Sequence, residues 1–393
     1  PKMGTKHHSR DSVSGDKKRR RAEFPVTDAG IGASDCITIY LVFSKDELES
    51  GSSFILKPVD LNVFFEDDGK FYGYKDLKIT VWLSGISFHA FADISFESSS
   101  DGGKGITDLK SALSSIFAEN LVESKDEFLQ TFSTDCDYVK SVVSDAEVLP
   151  RSKSTGCGFK SKFLSEELPS DVEVFRVGGS VVGQLYCRLV PLVLLLVDGS
   201  NPIDVTDPRW EIYLLVHKGE KGASFRLLGF AVAYRFYRYP CSSRLRLGQI
   251  LIIPPYQRKG YGSHLIRLLN DVAIADDLYD FTIEEPTDSV QHVRTCIDVE
   301  RLLTFPPVSE ALGSAVSRLR TEENNTSKFG RPPSDVVEKV REKLKITKRQ
   351  LLQCWEILLY LSLDRNSEPC VEKYWRMVRG RVRGDVMGKD SKG

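Results

Sequence analysis

Residues 245–269, LRLGQILIIPPYQRKGYGSHLIRLL, constrain this chain more than any other stretch. The first part alternates and then turns wholly apolar at Ile250, Leu251, Ile252 and Ile253, the pattern of a central strand buried on both faces. Pro254 and Pro255 end it. The loop Gln257-Arg258-Lys259-Gly260-Tyr261-Gly262 follows, and Ser263 leads into an amphipathic helical run through His264, Leu265, Leu268 and Leu269. Two glycines just ahead of a helix let several backbone N–H groups point at one spot, where the helix N-terminus adds partial positive charge. A diphosphate is the natural guest.

Three readings fit this strand, loop and helix. The simplest is a tight turn that needs glycine for positive φ. A dinucleotide fingerprint begins at Gly260-Tyr261-Gly262, but Leu265 replaces its third glycine, and the residues from Pro254 to Lys259 part its first glycine from the strand. The third is a resemblance. The motif Q/R-x-x-G-x-G/A of the GNAT-type N-acetyltransferases is met at Gln257, Gly260 and Gly262, so the stretch resembles their acyl-coenzyme A loop.

With 393 residues, the chain is long enough for two or three domains, each with its own core. A formal net charge of -1 gives no global field toward nucleic acid or an anionic membrane, and neither is expected as a partner. No apolar run approaches the ~20 residues of a membrane span, and the start does not resemble a signal peptide, so an intracellular protein is expected. Its eight cysteines are scattered without C-x-x-C pairs, which argues for reduced thiols and no metal site. Residues 1–33 lack hydrophobic periodicity and read as a disordered tail. Within them, Lys17-Lys18-Arg19-Arg20-Arg21 is a candidate nuclear-import signal, or else a solvated charge patch.

Residues 34–150 read as an α/β domain. Strands are expected at 37–43, 77–83 and 86–91, with helices at 108–117 and 125–131. The acids Glu66, Asp67 and Asp68 stand beside Gly69, ahead of the aromatic stretch Phe71-Tyr72-Gly73-Tyr74. Such a cluster solvates a loop or receives a cationic peptide. A Gly/Ser/Lys-rich stretch at 151–162 leads into a catalytic domain, 151–300, with a strongly apolar run at 181–197. Strands at 210–216 and 226–239 flank a turn at 218–222, and the stretch described first follows. The order is that of a sheet built around a βαβ unit. Residues 301–393 read as a helical region, with helices at 309–321, 334–344 and 347–361 and a capping box from Thr347 to Gln350.

Residues 279–284 read as the strand after the loop helix. Period two puts Asp280, Thr282 and Glu284 on one face. A right-handed crossover would set the end of this strand beside the end of the 250–253 run, so that Glu284 faces the phosphate loop. Acetyl transfer to an amine needs the neutral amine, and a free lysine at pH 7 lies ~3.4 units below its pKa, about 5 kcal/mol. A positioned carboxylate would take that proton, provided that burial or a second carboxylate such as Glu285 strengthens it as a base. The acidic turn Glu284-Glu285-Pro286 is otherwise an ordinary surface feature.

The segments Ile203-Asp204-Val205, Arg209-Trp210, Tyr237 to Pro240, Gln249 to Gly262 and Glu284-Glu285-Pro286 resemble those of the catalytic subunits of type B histone acetyltransferases. The similarity runs from about Cys36 through the helix at 347–361. It implies an α/β (α+β) protein, a GNAT acetyltransferase fold with an N-terminal α/β domain and a C-terminal helical region. It implies acetyl-CoA as co-substrate, bound by Ile250, Leu251, Ile252, Gln257, Arg258, Lys259, Gly260, Tyr261, Gly262 and Ser263. Glu284 falls on the general base, with further acids at Glu285, where aspartate is usual, and Asp198, where glutamate is usual. Peptide contacts fall on Asp67, Asp68, Gly69, Tyr234, Arg235 and Phe236. The implied substrate is the tail of newly made histone four with its histone partner, with a WD-repeat histone chaperone as companion, in nucleus and cytoplasm. Alternatives are acetylation of a small amine or another protein, or a silent histone carrier with the same fold.

Overall fold

The computed structural model describes residues 29–50, 53–65, 69–151, 168–179, 181–219, 224–321 and 330–390. The basic run Lys17 to Arg21, the acids Asp67 and Asp68, residues 152–162 of the expected linker and residues 220–222 of the expected turn lie outside them.

Alternating apolar residues in the first part form a five-stranded sheet. Its strands are β1 (Ile37–Val42), β2 (Phe54–Leu56), β3 (Lys78–Ser84), β4 (Ala90–Ser95) and β5 (Leu121–Val122), in the spatial order β2-β1-β3-β4-β5. The second expected strand of the 77–91 pair begins later than its sequence suggests. Ser84 Oγ accepts from the backbone N–H groups of Ile86 and Ser87, and these residues form the turn. Helices α1 (Leu109–Phe117) and α2 (Lys125–Thr134) start where Asp108 and Ser124 accept backbone N–H groups of the first turn. The short helix α3 (Tyr138–Val143) lacks a sequence signal of that kind. Phe71 and Tyr72, from the aromatic stretch set beside the acids, are buried at 1% and 5% exposure. They pack the domain and are not available to a peptide.

The catalytic part is a six-stranded sheet in the order β6-β7-β8-β9-β10-β11. These are Glu147–Val148, Val172–Val177, Trp210–Lys218, Phe225–Arg238, Ser242–Ile252 and Phe281–Ile283. Every neighbouring pair is antiparallel except β10 with β11. The expected division at residue 150 thus falls between two strands of one sheet. The apolar run at 181–197 is helix α4 (Val181–Leu196), which covers one face. Helix α5 (Tyr261–Ala275) covers the other. Phe230, Val232 and Leu251 pack with α4, while Ala231, Ala233, Leu245 and Leu247 pack with α5.

Helix α4 also belongs to the first unit. One continuous apolar core runs from Ile39, Val81 and Phe117 through Leu185, Leu189 and Leu192 to Ile212 and Phe230. Pro191 lies inside α4 and has no N–H, so the carbonyl of Cys187 is left without its helical donor. Asn120, 7% exposed and just ahead of β5, donates Nδ2 to that carbonyl at 2.9 Å.

The C-terminal helices are α6 (Asp288–Leu303), α7 (Pro306–Thr321), α8 (Ser334–Leu344), α9 (Lys348–Ser362) and α10 (Glu368–Asp390). Thr347 caps α9 by accepting the Gln350 N–H, but the Gln350 side chain is bonded to Gln291 rather than back to the cap, so half of the expected box forms. Their apolar core closes around Trp355. A charged network joins this layer to the sheet. Asp298, 1% exposed, lies 3.6 Å from both Arg294 and Arg301. Arg294 donates to the carbonyl of Phe281 in β11, and Arg301 donates to Asn270 of α5 and to the carbonyl of Leu344. Burial raises the Asp298 carboxyl above its ordinary value, while the two guanidinium groups oppose that rise. Asp298→Ala strands two buried cations, so it is expected to destabilise the fold by about 3–5 kcal/mol, read as a lower urea midpoint at unchanged slope.

Candidate active site

The β10–β11 seam sets the geometry of the site. β11 pairs with β10 only from Leu245↔Phe281 to Leu247↔Ile283, and the last bond runs from Glu284 N–H to the Leu247 carbonyl at 2.9 Å. Beyond it, β10 continues alone on that side while its other side stays paired with β9 from Gln249↔Val232 to Ile252↔Gly229. Gly248 is the extra residue where the β9–β10 register shifts. Ile253 donates to the Leu228 carbonyl at 2.9 Å, so alternation turns the N–H and C=O groups of Ile250 and Ile252 toward the open side. Leu251 and Ile253 are buried in the core shared with α4, while Ile250 and Ile252 pack against the α5 core but are only half-buried. Both faces are covered, the second less fully than expected, because no neighbouring strand follows β10 past Leu247.

At the far end of the open edge, Pro254–Tyr256 form a turn of 3-10 helix and the loop enters α5. Gly260 sits at φ 83°, the left-handed region, as the residue before the first helical turn. Arg258 also has positive φ, at 64°. The first intrahelical bond is His264 N–H to the Gly260 carbonyl, so the N–H groups of Tyr261, Gly262 and Ser263 belong to the open first turn. Ser263 Oγ donates to the Gly260 carbonyl at 2.7 Å and fixes the turn. Gln257 Nε2 donates to the Ile252 carbonyl at 2.9 Å, tying loop to strand. Arg258 and Lys259 are exposed. A Cβ on Gly262 would meet only Ile252 Cγ1, at 3.7 Å, so the protein itself leaves room there. Open strand edge, cationic loop and helix N-terminus together fit a long ligand with a diphosphate at one end.

Glu284 stands at the other end. Its side chain is 50% exposed, and Oε1 lies 3.3 Å from Arg246 Nη1. A Cβ on Gly248 would come within 3.8 Å of Glu284 Oε2 and 3.6 Å of Trp210, so all three share one hollow. The carboxylate does not face the phosphate loop as expected. β11 is three residues long and stops opposite Leu247, which leaves about five residues of strand, ~16 Å, between them. The surroundings also differ from the expectation, being half solvent and an arginine. Glu285, with φ 34°, turns the chain away.

An aromatic wall continues from Glu284. Trp210 and Tyr234 rings meet edge to face at 4.8 Å, and Tyr234 and Phe236 at 4.5 Å. Tyr234 Oη donates to Asp207 at 2.8 Å, and Arg209 holds the same carboxylate through two N–H bonds of 2.9 and 2.7 Å. These arginine bonds, first among the causes, set the Asp207 carboxyl well below the usual range. Arg235 falls on the opposite face. It is ion-paired with Glu211 at 2.7 Å and with Asp276, so it belongs to the packing of β8, β9 and α5 and not to the face of Tyr234 and Phe236. Strand alternation separates it from Tyr234 and Phe236. Gly69, φ 75°, packs against Asn62 in the first unit. Asp198 is exposed, just past the end of α4. Next to it, Gln249 bonds Ser200 Oγ and the Asn201 carbonyl at 2.8 Å each, and accepts from Tyr186 Oη at 2.9 Å. The sequence names neither Gln249 nor Arg246 as a site residue. The charged alternation Arg244, Arg246 against Leu245, Leu247 is the signal that marks the second.

Two family models match the chain. Residues 29–198 match the model described as "Histone acetyl transferase HAT1 N-terminus", and residues 198–292 match the acetyltransferase (GNAT) family. The histone acetyltransferase type B catalytic subunit of Arabidopsis thaliana is 50% identical over 95% of this chain and 80% of the relative. That of Zea mays is 47% identical over 97% and 80%. That of Candida albicans is 29% identical over 84% and 76%. If the Gly260–Gly262 turn cradles a diphosphate, Gly262→Val should raise the dissociation constant of acetyl-CoA tenfold or more, about 1.4 kcal/mol, by isothermal calorimetry. The thermal midpoint of the free protein should move far less, since a Cβ there meets only Ile252; unchanged affinity rejects the cradle.

Proposed function

We propose that this chain, which belongs to the family of histone acetyltransferase type B catalytic subunits and is a histone acetyltransferase with a GNAT fold, acetylates lysine ε-amines in the tail of newly made histone four. The observation that carries the reading is the open edge of β10, bounded by the Gly260 turn at one end and by Glu284 at the other. GNAT acetyltransferases take acetyl from acetyl-CoA. Here Ile250, Leu251 and Ile252 would hold the pantetheine arm as an added strand, and residues from Gln257 to Ser263 the diphosphate. The thioester then lies near Gly248, where a lysine approaching along the Trp210, Tyr234 and Phe236 wall meets Glu284. Direct attack needs no covalent enzyme intermediate, because the strand and the wall supply orientation. Glu284 takes the ammonium proton.

Asp67, Asp68, Asp198, Glu284 and Glu285 would add an acidic field for a basic tail, which favours capture and orientation more than affinity. The family resemblance supports a histone partner bound together with the tail and a WD-repeat chaperone as companion. Incubating a histone mixture with the protein and acetyl-CoA, followed by mass spectrometry, tests the substrate. Acetyl groups on the histone four tail are expected, and acetylation only of free lysine or polyamine sinks the assignment.

Two variants test the remaining readings. Glu284→Gln keeps size and hydrogen bonding but cannot accept the proton, so kcat near pH 7 should fall by about 10²- to 10⁴-fold while acetyl-CoA affinity stays level. The deficit should narrow toward pH 10 as solution supplies neutral lysine; a deficit constant with pH makes Glu284 a peptide-positioning residue. For the tail, alanine at all five positions from Lys17 to Arg21 should leave transfer in vitro intact and lower the nuclear fraction of a fluorescent fusion. Equal nuclear fractions reduce the run to a solvated patch.

A further inference from the structure

Arg246 is a charged group beside the reacting centre to which the reaction above gives no part. It sits on β10 directly opposite Tyr234 of β9 and Thr282 of β11, on the face that carries Phe236 and Glu284. Its guanidinium is shared between two weak holds. Nη1 lies 3.3 Å from Glu284 Oε1, a long contact for a charged pair, and the guanidinium carbon lies 4.2 Å from the centre of the Phe236 ring. Arg244, two residues earlier on the same face, shows the contrast. It grips Asp280 with two bonds of 2.6 and 2.8 Å, and that aspartate is 3% exposed. Arg244 is built in. Arg246 is as exposed as Arg244, at 32%, but its carboxylate is 50% exposed and meets it once, so the pair is loose enough to part.

The titratable groups around Glu284 come from each neighbouring segment. They are Arg246 on β10, Tyr234 on β9, Asp207 and Arg209 ahead of β8, and Glu285 next in the chain. Asp207 and Arg209 satisfy each other and Tyr234 donates to Asp207, which leaves Arg246 as the cation in contact with Glu284 among the described residues.

We propose that Arg246 is a displaceable stand-in for the substrate ammonium, a positioning residue that acts through Glu284. This rests on the reading of Glu284 as the base. In the free enzyme the guanidinium occupies the carboxylate. When the lysine ammonium arrives, one cation replaces the other and Arg246 withdraws onto the Phe236 ring. The ammonium passes one proton to Glu284 Oε. The freed lone pair attacks the thioester carbonyl carbon, the C–N bond forms, and the C–S bond breaks with its electrons on sulfur. The second N–H proton ends on that sulfur as the thiol. The proton on Glu284 leaves to water across its exposed side, and the returning Arg246 favours that loss, which resets the base.

The test is kcat/KM against pH, from 5 to 10, with a histone four tail peptide and saturating acetyl-CoA. Wild type is compared with Arg246→Gln, Arg246→Lys, Glu284→Gln and the Gln/Gln double variant. A cation in contact favours the carboxylate form, so Arg246→Gln should move the acid limb upward in pH. It should also lower the peptide KM, because a competitor for Glu284 is gone. Arg246→Lys should restore the limb, and the double variant should match Glu284→Gln. If the limb vanishes in Glu284→Gln but stays in place in Arg246→Gln, Arg246 has no such role and the base reading survives. If the limb persists in Glu284→Gln, the base reading fails and takes this proposal with it. A double variant weaker than Glu284→Gln by the full single-variant factor shows action independent of Glu284 and overturns the proposal, as does a raised peptide KM in Arg246→Gln.

Discussion

The site depends on a missing set of hydrogen bonds. β11 follows β10 through Leu247 and then leaves it, so two residues of β10 keep their amide and carbonyl groups turned outward with no strand to meet them. A bare edge of this kind is ordinarily a liability, open to any extended chain. Here it lies inside the sheet's own outline, flanked by α5 and α4, and its ends are specified. Gly248 allows the bend at one end, and Pro254–Tyr256 stop the strand at the other. The edge is a ruler whose length is set by how early β11 stops.

The charges divide by face as the apolar residues do. On the α5 side, Arg235, Glu211 and Asp276 are tied to one another, and Asp298 is locked between two arginines beneath β11. These groups hold helices to strands, and their attractions are spent inside the fold. The other face carries tight pairs too, Arg244 on Asp280 and Arg209 on Asp207, and beside them the exposed pair Glu284 and Arg246, joined by a single contact of 3.3 Å. A carboxylate free to trade partners is set apart by its exposure and its single contact rather than by its face.

Much of this was legible before any coordinates. The strand, loop and helix order around residues 245–269, the glycine at Gly260 and the cap at Thr347 all rest on local chemistry, and local chemistry is what a sequence prints directly. The failures were non-local. Apolar residues at 250–253 read as fully buried on both faces, yet Ile250 and Ile252 are only half-buried, because nothing in their own pattern says where a neighbouring strand ends. Glu284 was set against the phosphate loop for the same reason, since a crossover fixes handedness but not register. The resemblance places a peptide contact on Arg235 together with Tyr234 and Phe236, although period two alone puts it on the other face. Phe71 and Tyr72 are aromatic in a polar neighbourhood, and only their burial, with Phe65 packed on Phe71 at 4.9 Å between rings, shows them to be interior.

The two family models meet at Asp198, immediately after α4, yet the molecule has no seam there. Apolar packing alone would let a helix slide or roll between two partners, since its attraction is nearly blind to register. Pro191 changes that. By withholding an N–H it leaves one carbonyl on the helix surface unclaimed, and Asn120 reaches across to claim it. Such a bond is satisfied at one rotation and one height of α4 and at no other. The proline therefore acts as a key cut into an otherwise smooth shaft, so the angle at which the first unit presents itself to the catalytic sheet is inherited from a defect in a helix.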